Sequence, residues 1–328
     1  MLLVACDVSK ATVDAAWFDE TRQRWFERSR IPNNRRGWRG LLDWLEKSSG
    51  QGRAGFTLVV EATGVYHRPF VDFAYGQGLR VIVTNPGRAA ENARSHNRLN
   101  KSDRLDARSL YGYGQELKKY VEYQPDTPEI NGLKALLSRL RQLDKDLTRE
   151  RNRLEKCPYI AESQALTASI RRQLKALERE KKLIQGEIDE LIRSHPDLKH
   201  LQDLMCSIKG VGKGMSQWLL PLLYRQQFAS ARQLAAFLGL TPIHKRSGTS
   251  LNKRGRLSGR GNGYVRSRFY MPAVSAITHN PELRCFYDTL NRRGKTEKQA
   301  LTAVMRKLVH ICYGVVKNDQ PYRCPATA

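Results

Sequence analysis

The sequence predicts a three-part chain: an N-terminal α/β domain over residues 1–126, a central α-helical coiled coil over 127–197, and a mainly α-helical C-terminal domain over 198–328. Three observations carry this. Strand-like runs come first and then alternate with helical patterns, which is the order of a mixed α/β sheet. From Leu133 onward, leucines and isoleucines recur at heptad spacing. Beyond His195-Pro196 helical patterns return, broken by one stretch rich in glycine, serine and arginine.

The N-terminal elements read in order as follows. Leu2-Leu3-Val4-Ala5-Cys6 is a short apolar run ending in Asp7-Val8-Ser9-Lys10. Thr12 to Phe18 and Arg24 to Arg30 are aromatic and β-branched, and complete an antiparallel meander. Asn33 to Lys47 is a helix with Trp38, Leu41, Leu42 and Leu45 on one stripe. Phe56 to Val60 is a strand of the fully buried type, closed by Glu61-Ala62-Thr63-Gly64. His67 to Tyr75 suits a helix, and Arg80 to Thr84 is another buried strand, stopped by Asn85-Pro86. A further helix spans about residues 102–119.

Composition restricts the function. Lys plus Arg is 57 and Asp plus Glu is 32, a net charge of +25 spread along the chain. That excess points to a polyanion, most simply nucleic acid. A membrane surface is the other option, but the sequence has no apolar run of spanning length and no basic amphipathic terminus. The first residues are too short for a signal peptide before Asp7. Six cysteines form no C-x-x-C pair and no zinc-spaced cluster. They read as reduced thiols of a cytoplasmic, nucleoid-associated protein, and zinc-finger binding is disfavoured.

Asp103 and Asp106 lie three apart on a predicted helix, so they share a face about 5–6 Å apart at Cβ. Such a pair can grip a divalent cation, although a solvated helix face would carry the same spacing. Asp7 ends the first strand and Glu61 the fourth. Open α/β sheets bind ligands outside their strand ends, so these acids can converge there, and crowded carboxylates need a cation. Turn or cap roles are the plainer reading of each alone.

The order strand-Asp, strand-Glu-Ala-Thr-Gly, then Lys-Ser-Asp-x-x-Asp-Ala-Arg resembles the RuvC-like, DEDD-type transposases of the IS110 insertion-sequence family. The resemblance implies an RNase H-like (RuvC-like) fold in which Asp7, Glu61, Asp103 and Asp106 bind Mg2+, with Mn2+ as a substitute. Two departures are visible: Ala5-Cys6 stand where such proteins often carry Gly-Ile, and Ser102 where Thr is common.

Leu133, Leu136, Leu140, Leu143, Leu147 and Leu154 form one heptad run, broken at Glu150 and stopped by Cys157-Pro158. Ile170, Leu174, Leu177, Ile184, Ile188 and Leu191 form a second, with Lys181 at the missing position. This predicts an antiparallel hairpin or intermolecular coiled coil, favouring a projecting arm and a homo-oligomer, dimer or tetramer. A bundle packed within the monomer is the alternative. Lys209-Gly210-Val211-Gly212-Lys213-Gly214 between two helices looks like a helix-hairpin-helix element, whose glycines admit a phosphate to helix N–H groups; a simple interhelical turn remains open. Residues 243–261 read as a basic loop suited to a phosphate backbone, followed by helices from Val265 to Ala276 and from Glu297 to Tyr313.

Gly-Leu-Thr-Pro, Ser-Gly-x-Ser and Arg-x-x-x-Tyr-Met-Pro-Ala look like the C-terminal transposase domain of the same family. The resemblance implies that Ser247 is the nucleophile, with Ser250 as local competitor. It further implies a covalent phosphoserine intermediate without ATP, donor and target double-stranded DNA, and a structured non-coding guide (bridge) RNA. It also implies a site shared between subunits. Lys209, Lys213, Lys245, Arg246, Lys253, Arg254, Arg256 and Arg260 are the expected nucleic-acid contacts. A RuvC-like hydrolytic endonuclease and a non-catalytic nucleic-acid scaffold are the rival functions.

Overall fold

The computed structural model describes residues 1–62, 64–95, 103–117, 120–160, 163–225, 228–247, 251–257, 261 and 263–324. Side chains at 88, 90, 93–95, 103–106, 244–247 and 251–256 lie outside the description. The chain forms two compact units, Met1–Asp126 and Thr127–Ala328.

The first unit is built on β1 (Leu2–Val8), β2 (Thr12–Asp19), β3 (Arg24–Pro32), β4 (Phe56–Glu61) and β5 (Arg80–Thr84). Among the described residues the sheet order is β3-β2-β1-β4-β5. The first three strands form the expected antiparallel meander, and β4 and β5 add in parallel. Helix α1 (Arg35–Ser49) buries the predicted stripe of Trp38, Leu41, Leu42 and Leu45. Asn34 caps it by accepting a hydrogen bond from the Gly37 amide at 2.9 Å, and Gly50 ends it in the left-handed region. Helix α2 (Arg68–Gly76) meets α1 through the rings of Phe70, Phe73 and Trp38. Two further helices follow, α3 (Pro86–Ser95), which the sequence reading passed over, and α4 (Asp103–Glu116).

α4 crosses the sheet in a way that fixes its direction. A Cβ on Gly114 would stand 2.9 Å from the side chains of both Leu3 and Val59. Glycine lets the helix lie this close to β1 and β4 without displacing the ends of those two side chains. One turn and a half earlier, Arg108 pairs with Glu27 and stacks 5.0 Å from the Trp25 ring. Glu27 is opposite Ala16, which is opposite Ala5. Going backward along α4 therefore moves from the Leu3 level to the Ala5 level, toward the strand ends at Asp7.

The second unit begins with α5 (Pro128–Lys156) and α6 (Gln164–Ser194). They run antiparallel: a Cβ on Gly132 would contact Leu191, Asp144 pairs with Lys181, and Arg151 pairs with Glu178. The buried seam of α5 contains Leu133, Leu137, Leu140, Leu143 and Leu147. Leu137, not the expected Leu136, fills the second position, because Leu136 turns toward the side of the helix and is only partly covered. Ile130, Leu133, Leu137, Leu140, Ile188 and Ile192 share one core with the helices that follow. Leu147, Cys157, Ile170 and Leu174 close a small separate cluster. The heptads are thus consumed by pairing within the chain, and the base of the hairpin is continuous with the C-terminal core.

That core gathers α7 (Pro196–Cys206), α8 (Lys213–Leu223), α9 (Ala231–Phe237), α10 (Gly263–Arg268), α11 (Tyr270–His279), α12 (Pro281–Arg292) and α13 (Glu297–Asn318). Thr296 and Gln299 form a reciprocal capping box at the start of α13, whose Val304, Leu308, Val309 and Cys312 are fully buried. Residues read as an open basic loop instead form a ribbon of β6 (Pro242–Ser247) and β7 (Leu251–Leu257). The sequence gives little strand propensity here, so the backbone pairing itself supplies the order. All six cysteines are unpaired thiols, and no helix among the described residues is long and apolar enough to cross a membrane.

Candidate active site and nucleic-acid interface

Strand register lines up a row of polar residues across the first sheet. Asp7 is opposite Asp14, and Asp7 and Glu61 are each the next residue after the parallel pair Cys6 and Val60. Glu61 is in turn opposite Thr84. Neighbouring strands are about 4.8 Å apart and side chains alternate faces with period two. Asp14, Asp7, Glu61 and Thr84 therefore stand side by side on one face. It is the face α4 covers, since Leu3 and Val59 lie under Gly114. Both Asp7 and Glu61 are half-buried, while Cys6 and Val60 behind them are fully buried. The strands thus hold the two carboxylates at the edge of the core, where desolvation makes charge interactions strong.

Asp14 was not anticipated. It is buried, and its Oδ1 accepts a hydrogen bond from the Arg30 amide at 2.9 Å. Arg30 has φ 56° at a bulge between β2 and β3, so the carboxylate holds the irregular backbone in place. A lone aspartate in the apolar run Val13 to Trp17 was the available signal. Asn33 is a second residue missed. Its amide donates to the Ser9 carbonyl at 2.8 Å and the Tyr66 carbonyl at 3.3 Å, and its Oδ1 accepts from Trp38 Nε1 at 2.9 Å. It ties the segment leaving β1 to the segment leaving β4, so it sets the rim on which Asp7 and Glu61 sit.

Asp103 and Asp106 occupy the first turn of α4 in backbone terms, and their side chains lie outside the described residues. Among the described residues no three metal-ligating side chains come together. The oxygen-only donor set at the rim fits a hard cation such as magnesium or manganese better than zinc.

In the second unit Ser247 is the last residue of β6, opposite Leu251. Its side chain, like those of Lys245, Arg246, Lys253, Arg254 and Arg256, is outside the described residues, as are Ser250 and Arg260 altogether. The register sets Lys245 opposite Lys253 and Ile243 opposite Arg256. Lys209 and Lys213 are exposed on the turn between α7 and α8. Gly212 starts α8 without a side-chain cap, and nothing stands within 4 Å of a Cβ placed on Gly212 or Gly214. Gly210 has a different reason to be glycine: its φ is 102°, and a Cβ would meet the Ala276 backbone at 2.9 Å. That glycine serves packing against α11, not approach to a ligand.

Helix α10, which follows the ribbon, is tied to the hairpin by a polar node. Asp144 pairs with Lys181 at 2.7 Å, accepts from the Tyr264 hydroxyl at 2.6 Å and meets Arg268. Burial opposes ionisation of Asp144, but the Lys181 and Tyr264 hydrogen bonds and the charges of Arg268 and Lys181 outweigh it and hold the carboxyl below its usual pKa. Burial and the hydrogen bond to Asp144 push the Tyr264 hydroxyl up to about 12. Lys181 is the residue that interrupts the second heptad run, so the interruption has a partner across the seam.

Comparison with known proteins matches two stretches of the chain, the first running through the first unit and α5 of the second. Residues 4–157 match a DEDD-type IS110 family described as "Transposase", and residues 202–288 match the family described as "Transposase IS116/IS110/IS902 family". The chain belongs to the IS110 transposase family. It is a DNA transposase or recombinase, and its DEDD region implies an RNase H-like fold and dependence on a divalent metal. The pilin gene-inverting protein of Moraxella bovis is 29% identical over 321 residues, covering 97% of each chain. An uncharacterized 43.6 kDa protein of insertion element IS110 from Streptomyces coelicolor is 29% identical over 161 residues, 48% of this chain and 38% of its own length. An uncharacterized 42 kDa protein of insertion element IS900 from Mycobacterium paratuberculosis is 32% identical over 106 residues, 30% of this chain and 25% of its own.

Proposed function

We propose that this IS110-family protein cuts and rejoins DNA through a phosphoserine bond on Ser247, assisted by magnesium held by Asp7, Glu61, Asp103 and Asp106. The observation that carries the reading is the Asp7–Glu61 pair on adjacent strands, under a helix that runs back toward them and begins with Asp103. A divalent cation bound there supplies Lewis-acid polarisation of a phosphodiester and lowers the pKa of a coordinated hydroxyl. The Ser247 Oγ attacks phosphorus; the P–O3′ bond breaks, the P–Oγ bond forms, and the serine proton ends on the released 3′-hydroxyl. A 3′-hydroxyl then attacks the phosphoserine, which restores the serine and conserves the bond, so ATP is not needed.

Lys245 opposite Lys253 supports a polyanion on the ribbon, because like charges directly across a strand pair destabilise it unless something neutralises them. Lys245, Arg246, Lys253, Arg254, Arg256 and Arg260 are the phosphate contacts of this reading, with Lys209, Lys213 and the open start of α8 as a second point. A relative named for inverting a pilin gene matches nearly the whole chain. That favours rejoining over hydrolysis. Donor and target DNA, a guide RNA, a homo-oligomer with a shared site, and a cytoplasmic location complete the reading. The central hairpin, 127–197, is its oligomerisation arm.

The test is a covalent adduct between protein and labelled DNA, sought after denaturation in the presence of candidate guide RNA and magnesium. Ser247→Ala abolishes it and Ser250→Ala retains it; an adduct that survives Ser247→Ala sinks the assignment. Hydrolysed products with no adduct in the native protein would favour the endonuclease instead.

A further inference from the structure

We propose that the slot between the root of the β6–β7 ribbon and α13 takes one unpaired nucleotide of a bound strand, its base on the aliphatic floor and its flanking phosphates on Lys298 and Arg306. The proposal rests on the reading that this protein acts on nucleic acid and gives that reading a contact point on α13.

The slot has a volume of about 440 Å³, which is within the usual range for small-ligand sites. Leu240, Pro242, Leu257 and Leu290 make its floor. From α13, Lys298, Thr302 and Arg306 enter at a spacing of four, so they form one row along the helix, with Ala303 beside them. Lys295 closes the rim. Among the described residues Lys295, Lys298 and Arg306 have no carboxylate partner, whereas Lys307 on the same helix pairs with Glu282 at 3.3 Å. The field along this helix is positive enough to add to burial in holding His310 below the usual imidazole pKa; Arg306, Lys307 and Arg232 are the charges responsible.

This combination selects its occupant. Three unpaired cations call for an anion. A recessed aliphatic floor calls for an apolar face. A duplex backbone offers charge but keeps its bases stacked, while an unpaired nucleotide presents a flat base and two phosphates together. Pro242 and Leu257 are paired at the ribbon's root and Ser247 and Leu251 at its far end. Five residues of strand separate them, about 17 Å at 3.3–3.4 Å per residue. A strand seated in the slot therefore lies roughly five duplex steps, at 3.4 Å each, from Ser247.

The test is fluorescence anisotropy on the full chain with oligothymidylate, oligouridylate and an abasic deoxyribose-phosphate strand of equal length. Ala303→Trp, which fills the slot, is expected to weaken the base-bearing strands about tenfold and to spare the abasic one. Lys298→Ala with Arg306→Ala weakens all three and lowers the salt slope by about 1.4, the value for two phosphate contacts to a single strand. The oligothymidylate and oligouridylate arms tell DNA from RNA. Unchanged affinity in Ala303→Trp overturns the proposal, as does equal weakening of the abasic strand. So does a change of oligomeric mass with unchanged strand binding, which would seat a second copy in the slot. If Ala303→Trp does not fold, Lys298→Glu at its exposed position replaces it, and unchanged binding there is equally fatal. A wild-type protein that binds none of the strands overturns the nucleic-acid reading itself, whereas binding that ignores the variants removes only the slot.

Discussion

Asp7 and Glu61 leave strands whose preceding residues, Cys6 and Val60, are fully buried, and Asn33 bridges the segments beyond them. Ser247 ends a strand of a two-stranded ribbon whose Ile243 is 38% exposed. The first site inherits its geometry from a five-stranded core. The second depends on backbone pairing and on what its root rests against, and an isolated two-stranded ribbon is marginal in water. Metal ligands need fixed spacing, so a core supports them. In the proposed reading Ser247 is the nucleophile, and the paired ribbon is the element that carries it to a phosphodiester. The charge pattern follows the same division: acids stand at the sheet rim and cations on the ribbon.

Breaking the rim should have the largest effect on chemistry. Asp7→Asn or Asp106→Asn is expected to lower strand exchange about 10²–10³-fold, the loss typical of removing one preorganised electrostatic group, with nucleic-acid binding retained in a gel-shift assay. Wild-type exchange in Asp106→Asn would make α4's first turn a solvated helix face. Packing glycines probe both units next. Gly210→Ala forces a Cβ against the Ala276 backbone at φ 102° and should cost about 1–3 kcal/mol in urea unfolding. Gly114→Ala presses only the ends of the Leu3 and Val59 side chains, so it should cost less, about 1 kcal/mol, and by shifting α4 it should also weaken magnesium binding measured by calorimetry. If Gly114→Ala lowers stability but not magnesium affinity, the helix does not set the site.

Asn33→Ala removes two tethers at the rim and should cost about 1–3 kcal/mol while lowering magnesium affinity. Asp144 links the hairpin to Tyr264 and Arg268, and its carboxyl titrates below the usual value. Its contribution to stability is therefore complete above the unfolded-state pKa of about 3.9 and fades as pH falls through the lower folded value. Asp144→Asn should flatten the acid limb of a melting-temperature profile and leave magnesium affinity at the sheet rim unchanged. The smallest effect is expected from Lys213→Ala, a uniform weakening of binding with the salt slope for duplex DNA reduced by about 0.9.

Several parts of this layout were legible in sequence because they are local. Buried strands write themselves as apolar runs, and α1 and the heptads as stripes. Asp7 and Glu61 could be placed at strand ends for the same reason. The ribbon was not legible: Leu251 to Leu257 carries neither alternation nor strand-forming residues, and its order comes from pairing with β6. Asp14 and Asn33 escaped because a buried carboxylate in a bulge and a side chain bridging two loops are defined by partners distant in the chain. Lys181 looked like a flaw in a repeat until Asp144 stood across from it.

The sequence by itself determined most of the elements, though not α3 or the ribbon, together with the sign of the net charge and the family, since propensity, periodicity and motif spacing are properties of short segments. Only the tertiary structure decided which residues share a face: the Asp14–Asp7–Glu61–Thr84 row, the direction of α4 above it, the internal pairing of the heptads, and the slot beside α13. Strand register and helix direction are set by burial against partners far away in sequence, and no local pattern contains them.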